Sequence, residues 1–186
     1  MERNTEAGSS SGRSLDSLFA SSLDDSERFH TRNGVFYPTG SALLALPDKE
    51  HLGRMVDLLS EGGVASEDIT LLRPEQMHEL VNRSQRDAGV LSRIVSAELK
   101  QLKIIEQLAK AGNSFVLVKA HDETVPLLQR VGTQSGATKG LLYHTLAVEE
   151  LPVAKETIPG DSPFGMNEVI RSQESDANVD KGSPRG

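Results

Sequence analysis

The chain has 186 residues, a net charge of -7, 37% hydrophobic residues and no cysteine. That length suits one ordinary domain with a modest core. The missing cysteine excludes disulfides, thiol nucleophiles and thiolate-bound metal, and the acidic balance without a basic stripe speaks against nucleic acid as a partner.

The apolar residues are gathered in the middle of the chain. Residues 1–32 and 152–186 are mostly Ser, Gly, Asp, Glu, Arg and Asn, with Pro added in the second stretch. Neither holds enough apolar surface to offset an ordering entropy of about 1–2 kcal/mol per residue, so both are expected to be disordered tails. A domain is expected over 33–151. Two apolar clusters in the tails, Leu15, Leu18, Phe19 and Leu23 in one and residues 162–170 in the other, could fold on a partner; the plainer reading is chance apolar residues in a linker.

A strand is predicted over 35–46, bent near Pro38 and Gly40. Pro47-Asp48 then opens a helix in which Leu52, Met55, Val56 and Leu59 share one face, and Gly62-Gly63 ends it. A short strand follows over 68–72. Pro74 stands in the first turn of the next helix, where its missing N–H costs nothing. The apolar stripe from Met77 to Leu108 predicts a helical insert over 74–111, broken near Gly89 and stopped by Gly112.

The run Phe115-Val116-Leu117-Val118 marks the clearest strand, over 113–121, with both faces partly apolar as a central strand requires. Asp122 reads as the N-cap of a helix carrying Val125, Leu127, Leu128 and Val131. A glycine-rich loop over 132–140 and a last strand over 141–148 complete the pattern, after which the chain leaves the domain.

The order β-α-β, helical insert, β-α-β predicts a ferredoxin-like α/β sandwich, an α+β fold with a four-stranded antiparallel sheet. Its first and third strands would lie in the centre, with two helices on one face. The other face would be open, to be covered by the insert or by a second copy of the chain, and a homodimer is expected on that ground.

Gly112-Asn113-Ser114-Phe115-Val116-Leu117-Val118-Lys119-Ala120-His121-Asp122 resembles a recurring unit of bacterial stress-associated proteins, as do Gly136-Ala137 with Leu142-Tyr143 and the ending Glu149-Glu150-Leu151. Tyr37-Pro38-Thr39-Gly40 through Ile69-Thr70-Leu71-Leu72 is similar to the general stress protein 17M-like domain of the heat-induced stress protein family. The resemblance covers about residues 33–151. It implies a ferredoxin-like fold, a bacterial source and a link to stress, with no reaction and no catalytic residues to carry over.

Five histidines are present, and no pair has the i, i+4 helical spacing of a metal site. His121 ends the third strand and His144 is placed inside the last, two strands that are not neighbours in the expected order. Tyr37, Lys119, His121, Tyr143 and His144 are the candidate lining of a site for an anionic small molecule, since they supply a cation, acid–base groups and amphipathic rings. The competing reading places them at a dimer interface or in solvent. Residues 132–140 fail as a phosphate loop, because such a loop runs from strand into helix and this one is read as running from helix into strand. No serine has the flanking glycines of a nucleophile elbow. An RNA-recognition module shares the topology but stacks bases on sheet aromatics, and the third strand offers Phe115 alone.

No metal ligand set and no cofactor are expected. No stretch approaches the roughly 20 apolar residues of a membrane span, and a cytoplasmic protein is the default. The function expected is a non-enzymatic, stress-associated interaction or regulatory domain that self-associates. The alternative is a small-ligand sensor resembling ACT or PII-like domains, binding an anionic metabolite or nucleotide.

Overall fold

The structure, a computed structural model, describes residues 14–24, 29, 35–88 and 96–153. His30, the segment 89–95 and the apolar cluster over 162–170 lie outside the described residues.

In chain order the elements are a 3-10 turn at Leu15–Leu18, β1 at Ser41–Leu46, α1 at Lys49–Glu61, β2 at Ile69–Leu72, α2 at Pro74–Ala88, α3 at Ser96–Lys110, β3 at Ser114–Lys119, α4 at Val125–Ser135, β4 at Lys139–Tyr143 and β5 at Val148–Glu150. Local chemistry sets most of these boundaries. The Asp48 carboxylate accepts the His51 backbone N–H (3.0 Å) and contacts the same residue's ring Nδ1 (2.7 Å), which caps α1. Gly112 adopts φ 86° just past α3, and Gly136 adopts φ 75° just past α4, conformations that cost a larger residue dearly.

The result is a mixed α/β fold on an open, five-stranded, fully antiparallel sheet in the order β2-β3-β1-β4-β5. In the middle of the sheet Leu43 lies opposite Leu117 on one side and Leu141 on the other. Strand alternation sends successive residues to opposite faces, and each face carries its own core. Leu43, Ala45, Phe115, Leu117, Leu141 and Tyr143 meet Met77, Leu80 and Val81 of α2 with Leu102, Ile105 and Ala109 of α3. Ala42, Leu44, Leu46, Val116, Val118 and Leu142 meet Leu52, Met55 and Leu59 of α1 with Leu128 and Val131 of α4.

Several expectations are corrected. Of the two covers expected for the second sheet face, the insert is the one found: α2 and α3 fill it, so the argument for a second copy on that face falls away. The sheet has five strands rather than four, because the stretch read as one strand over 141–148 folds back at 144–147 into a hairpin. Its turn carries no glycine or proline, so nothing in the local sequence marks it. The first strand begins at Ser41, since Pro38 to Ser41 form a tight turn closed by the Ser41 N–H to the Pro38 carbonyl (3.1 Å), with Gly40 at φ 73°. The helix expected to be capped by Asp122 starts after Thr124, and it runs on through Gly132 to Ser135 instead of opening into a loop.

Both boundaries expected for the domain also move. Val153, assigned to the C-terminal tail, is buried in the second core together with Leu151, the last residue of the expected domain. There a Cβ on Gly140 would stand 2.9 Å from the Leu151 carbonyl oxygen, so the chain passes closely over β4 only because residue 140 is glycine. Residues 14–24, assigned to the N-terminal tail, pack on the domain: Leu15, Leu18 and Phe19 lie against the second core and Leu23 against the first, so this segment wraps the outer edge of β2. Among the described residues no helix is long and apolar enough to cross a membrane.

Candidate cleft at the end of the sheet

Gly40 joins the two strands that flank β1. Its N–H donates to the Tyr143 carbonyl (2.8 Å) and its own carbonyl accepts the Ala120 N–H (2.8 Å), which extends both ladders one residue past the start of β1. Beyond that point there is no more β1, and β3 and β4 turn away. β3 turns at His121, whose backbone N–H donates to Thr124 Oγ1 (3.0 Å) while the Thr124 hydroxyl donates back to the His121 carbonyl (2.9 Å). β4 turns at His144, whose N–H donates to the Ala147 carbonyl (2.8 Å).

The divergence leaves a cleft of about 390 Å³, walled by Thr39 and Gly40 at the base, His121, Asp122 and Val125 on one side, and Tyr143 through Ala147 on the other. His121, Asp122 and His144 are all exposed. The ring Nε2 of His144 lies 3.2 Å from Glu149 Oε2, a contact across the hairpin that orients the imidazole. Leu146, at the hairpin tip, is 79% exposed and is the large apolar side chain left in solvent among the described residues.

The five residues marked in the sequence therefore divide. His121 and His144 converge here, although their strands are not paired, because Gly40, the residue before β1, bonds to both strands next to them. Tyr143 closes the cleft wall, yet only 3% of it is exposed. Its ring meets Tyr37 edge-on at 5.4 Å and Phe36 at 6.1 Å, inside the core beneath α3. Burial pushes the Tyr143 hydroxyl well above the ordinary tyrosine range, with nearby Tyr37 adding to the effect. Tyr37 is likewise buried and is core, not lining. Lys119 points elsewhere, to an exposed ion pair with Asp68 (3.0 Å) at the start of β2.

The sequence reading missed Asp122 as a wall residue, having taken it for a helix cap, and missed Leu146 and Thr145 because the hairpin was invisible. Among the described residues no group of three or more His, Asp or Glu side chains is arranged to hold a metal ion. Two imidazoles, one carboxylate and two threonines around a glycine turn can offer hydrogen bonds to a small polar molecule, with Val125 and Leu146 supplying apolar contact.

Comparison with known proteins found no matching family model, no matching curated protein and no matching solved structure.

Proposed function

We propose that this chain is a regulatory binding domain of ferredoxin-like topology, not an enzyme, and that it takes a small anionic molecule in the cleft between His121 and His144. The convergence of these two imidazoles around Gly40 carries the reading. Each can direct a ring N–H at a phosphate or carboxylate oxygen, and the site lies at the mouth of a turn where backbone is also exposed. Asp122 on the same rim and the overall charge of -7 favour a ligand with a single small anionic group over a polyanion. The ferredoxin-like assignment is supported by the order β2-β3-β1-β4 with antiparallel β1 and β3; β5 is then an addition at the edge.

Binding rather than catalysis is supported by the exposure of the titratable groups, since acid–base residues of active sites are tuned by burial and close partners. The link to stress rests on the resemblance of Tyr37 to Gly40 and residues 112–122 to the stress-protein domain, and it is proposed on that footing. Self-association has lost the open sheet face that motivated it.

The test is a titration of the chain with phosphate- and carboxylate-bearing metabolites and nucleotides, read by the ring C–H resonances of His121 and His144 and by thermal stability. Shifts of both rings with saturation, together with a raised Tm that disappears in His121→Gln and His144→Gln, are expected. No ring perturbation by any compound at millimolar concentration overturns the reading.

A further inference from the structure

The outer edge of β2 is not bare. The Ala20 N–H donates to the Leu71 carbonyl (2.9 Å), and Phe19 forms a parallel bridge with Leu71. Three further contacts hold the same segment from the β2–α2 side. The Gln76 side-chain amide donates to the Ala20 carbonyl (2.7 Å), and its oxygen accepts the Arg73 backbone N–H (2.9 Å), which fixes the amide's orientation at the start of α2. The Arg73 guanidinium lies over the Phe19 ring at 4.1 Å. One turn after another along α2, Arg83 reaches Asp24 (2.9 Å) while also held by Glu79 (2.6 Å).

These contacts have the form of peptide recognition by strand addition. Main-chain bonds to Leu71 and Gln76 are blind to sequence, and side-chain contacts at Arg73 and Arg83 read an aromatic residue and, five positions on, an acidic one. The segment they hold adds only one bridge to the sheet and exposes most of its polar side chains; it is anchored by Ala20 in the first core and by Leu15, Leu18 and Phe19 against the second, while the receptor residues belong to β2 and α2.

We propose that the β2 edge together with Arg73, Gln76 and Arg83 is a docking site for an extended apolar peptide carrying an aromatic residue followed by an acidic one, and that residues 14–24 occupy it in the closed molecule as an intramolecular competitor. The site is separate from the sheet-end cleft and does not depend on it. Release of residues 14–24 by local opening exposes the edge to a peptide of the same chemistry in trans.

Two experiments on the full chain test this. In the variant Leu18→Asp, Phe19→Asp, Ala20→Pro the strap loses its apolar anchors and the N–H to Leu71. A labelled peptide with the sequence of residues 14–24 is expected to bind this variant at least tenfold more tightly than the unaltered chain, and to lose that gain when Arg73→Ala and Gln76→Ala are added. Equal binding to both chains, with β1 and β3 amides still protected in the variant, overturns the proposal. In the unaltered chain, hydrogen exchange separates a strap from an integral strand whether or not the variant folds. The Ala20 amide is expected to exchange at least tenfold faster than Val116 in β3; an Ala20 amide that exchanges only at the Val116 rate overturns the proposal.

Discussion

Val153 fills the space that a side chain at Gly132 would need. A Cβ on Gly132 would stand 2.6 Å from Val153 Cγ1 and 2.8 Å from Leu44 Cδ2, both inside the core between α4 and the sheet. A glycine inside a helix ordinarily loses about 1 kcal/mol relative to alanine, so Gly132→Ala would stabilise α4 in open space. Here overpacking of about 1–3 kcal/mol works against it. Gly132→Ala is expected to be net destabilising, and Val153→Ala in the same chain to recover part of the loss, measured as a non-additive double-mutant cycle by denaturant unfolding.

The same wedge makes residues 151–153 part of the packed core. Leu151 and Val153 are both buried, and full burial of such a side chain contributes about 1.5–3 kcal/mol. A chain ending after residue 154 is expected to keep its unfolding midpoint. A chain ending after residue 150 is expected to lose several kcal/mol, about the sum of two such burials. Equal midpoints for the two truncations would contradict the packing described.

Ser84 pins the entering chain to α2. Its hydroxyl accepts the Phe36 backbone N–H (2.8 Å) and donates to the Leu80 carbonyl (2.8 Å), fully inside the core. Ser84→Ala leaves the Phe36 N–H without that acceptor, at a cost of about 1–3 kcal/mol. The expected readout is a lower unfolding midpoint with an unchanged denaturant slope, because the surface exposed on unfolding is the same.

Tyr143 gives the fold an alkaline limit. Burial holds its hydroxyl neutral in the folded chain at pH values where the unfolded chain ionises near 10. Above that value the unfolded state has bound fewer protons than the folded one, so stability falls as pH rises, by up to about 1.4 kcal/mol per unit. Below pH 9 the group contributes no pH dependence. Tyr143→Phe is expected to flatten the stability profile between pH 10 and 12 relative to the unaltered chain; two parallel profiles would count against the assignment.

Much of this molecule is legible in its sequence. The helical spacing of Leu52, Met55 and Leu59 and the apolar run from Phe115 to Val118 each mark an element and its buried face, because periodicity is a local consequence of backbone geometry. The apolar stripe of the insert likewise marks α2, Pro74–Ala88, and α3, Ser96–Lys110; the break expected near Gly89 lies outside the described residues.

The candidate site was half legible. His121 stands out as a polar residue at a strand end, whereas His144 reads as the interior of the last strand and is placed at the end of β4 by the hairpin. Yet Tyr37 and Tyr143 have the same composition signal and turn out to be core, since only the fold decides which side of β4 faces α3. The hairpin at 144–147 stayed hidden because no glycine or proline marks its turn.

The sequence by itself determined the helices at Lys49–Glu61 and Pro74–Ala88, the central strand and the glycine stops at Gly62 and Gly112, all of which depend on residues close together in the chain. Tertiary structure alone decided that the second sheet face is filled by α2 and α3, that residues 14–24 and 151–153 belong to the packed molecule, and that two histidines on unpaired strands share one cleft. Each of those outcomes depends on contacts between segments far apart in the chain, such as Ala20 with Leu71 and Gly132 with Val153. Such contacts are set by shape complementarity in the folded core, which leaves no periodic trace in the sequence.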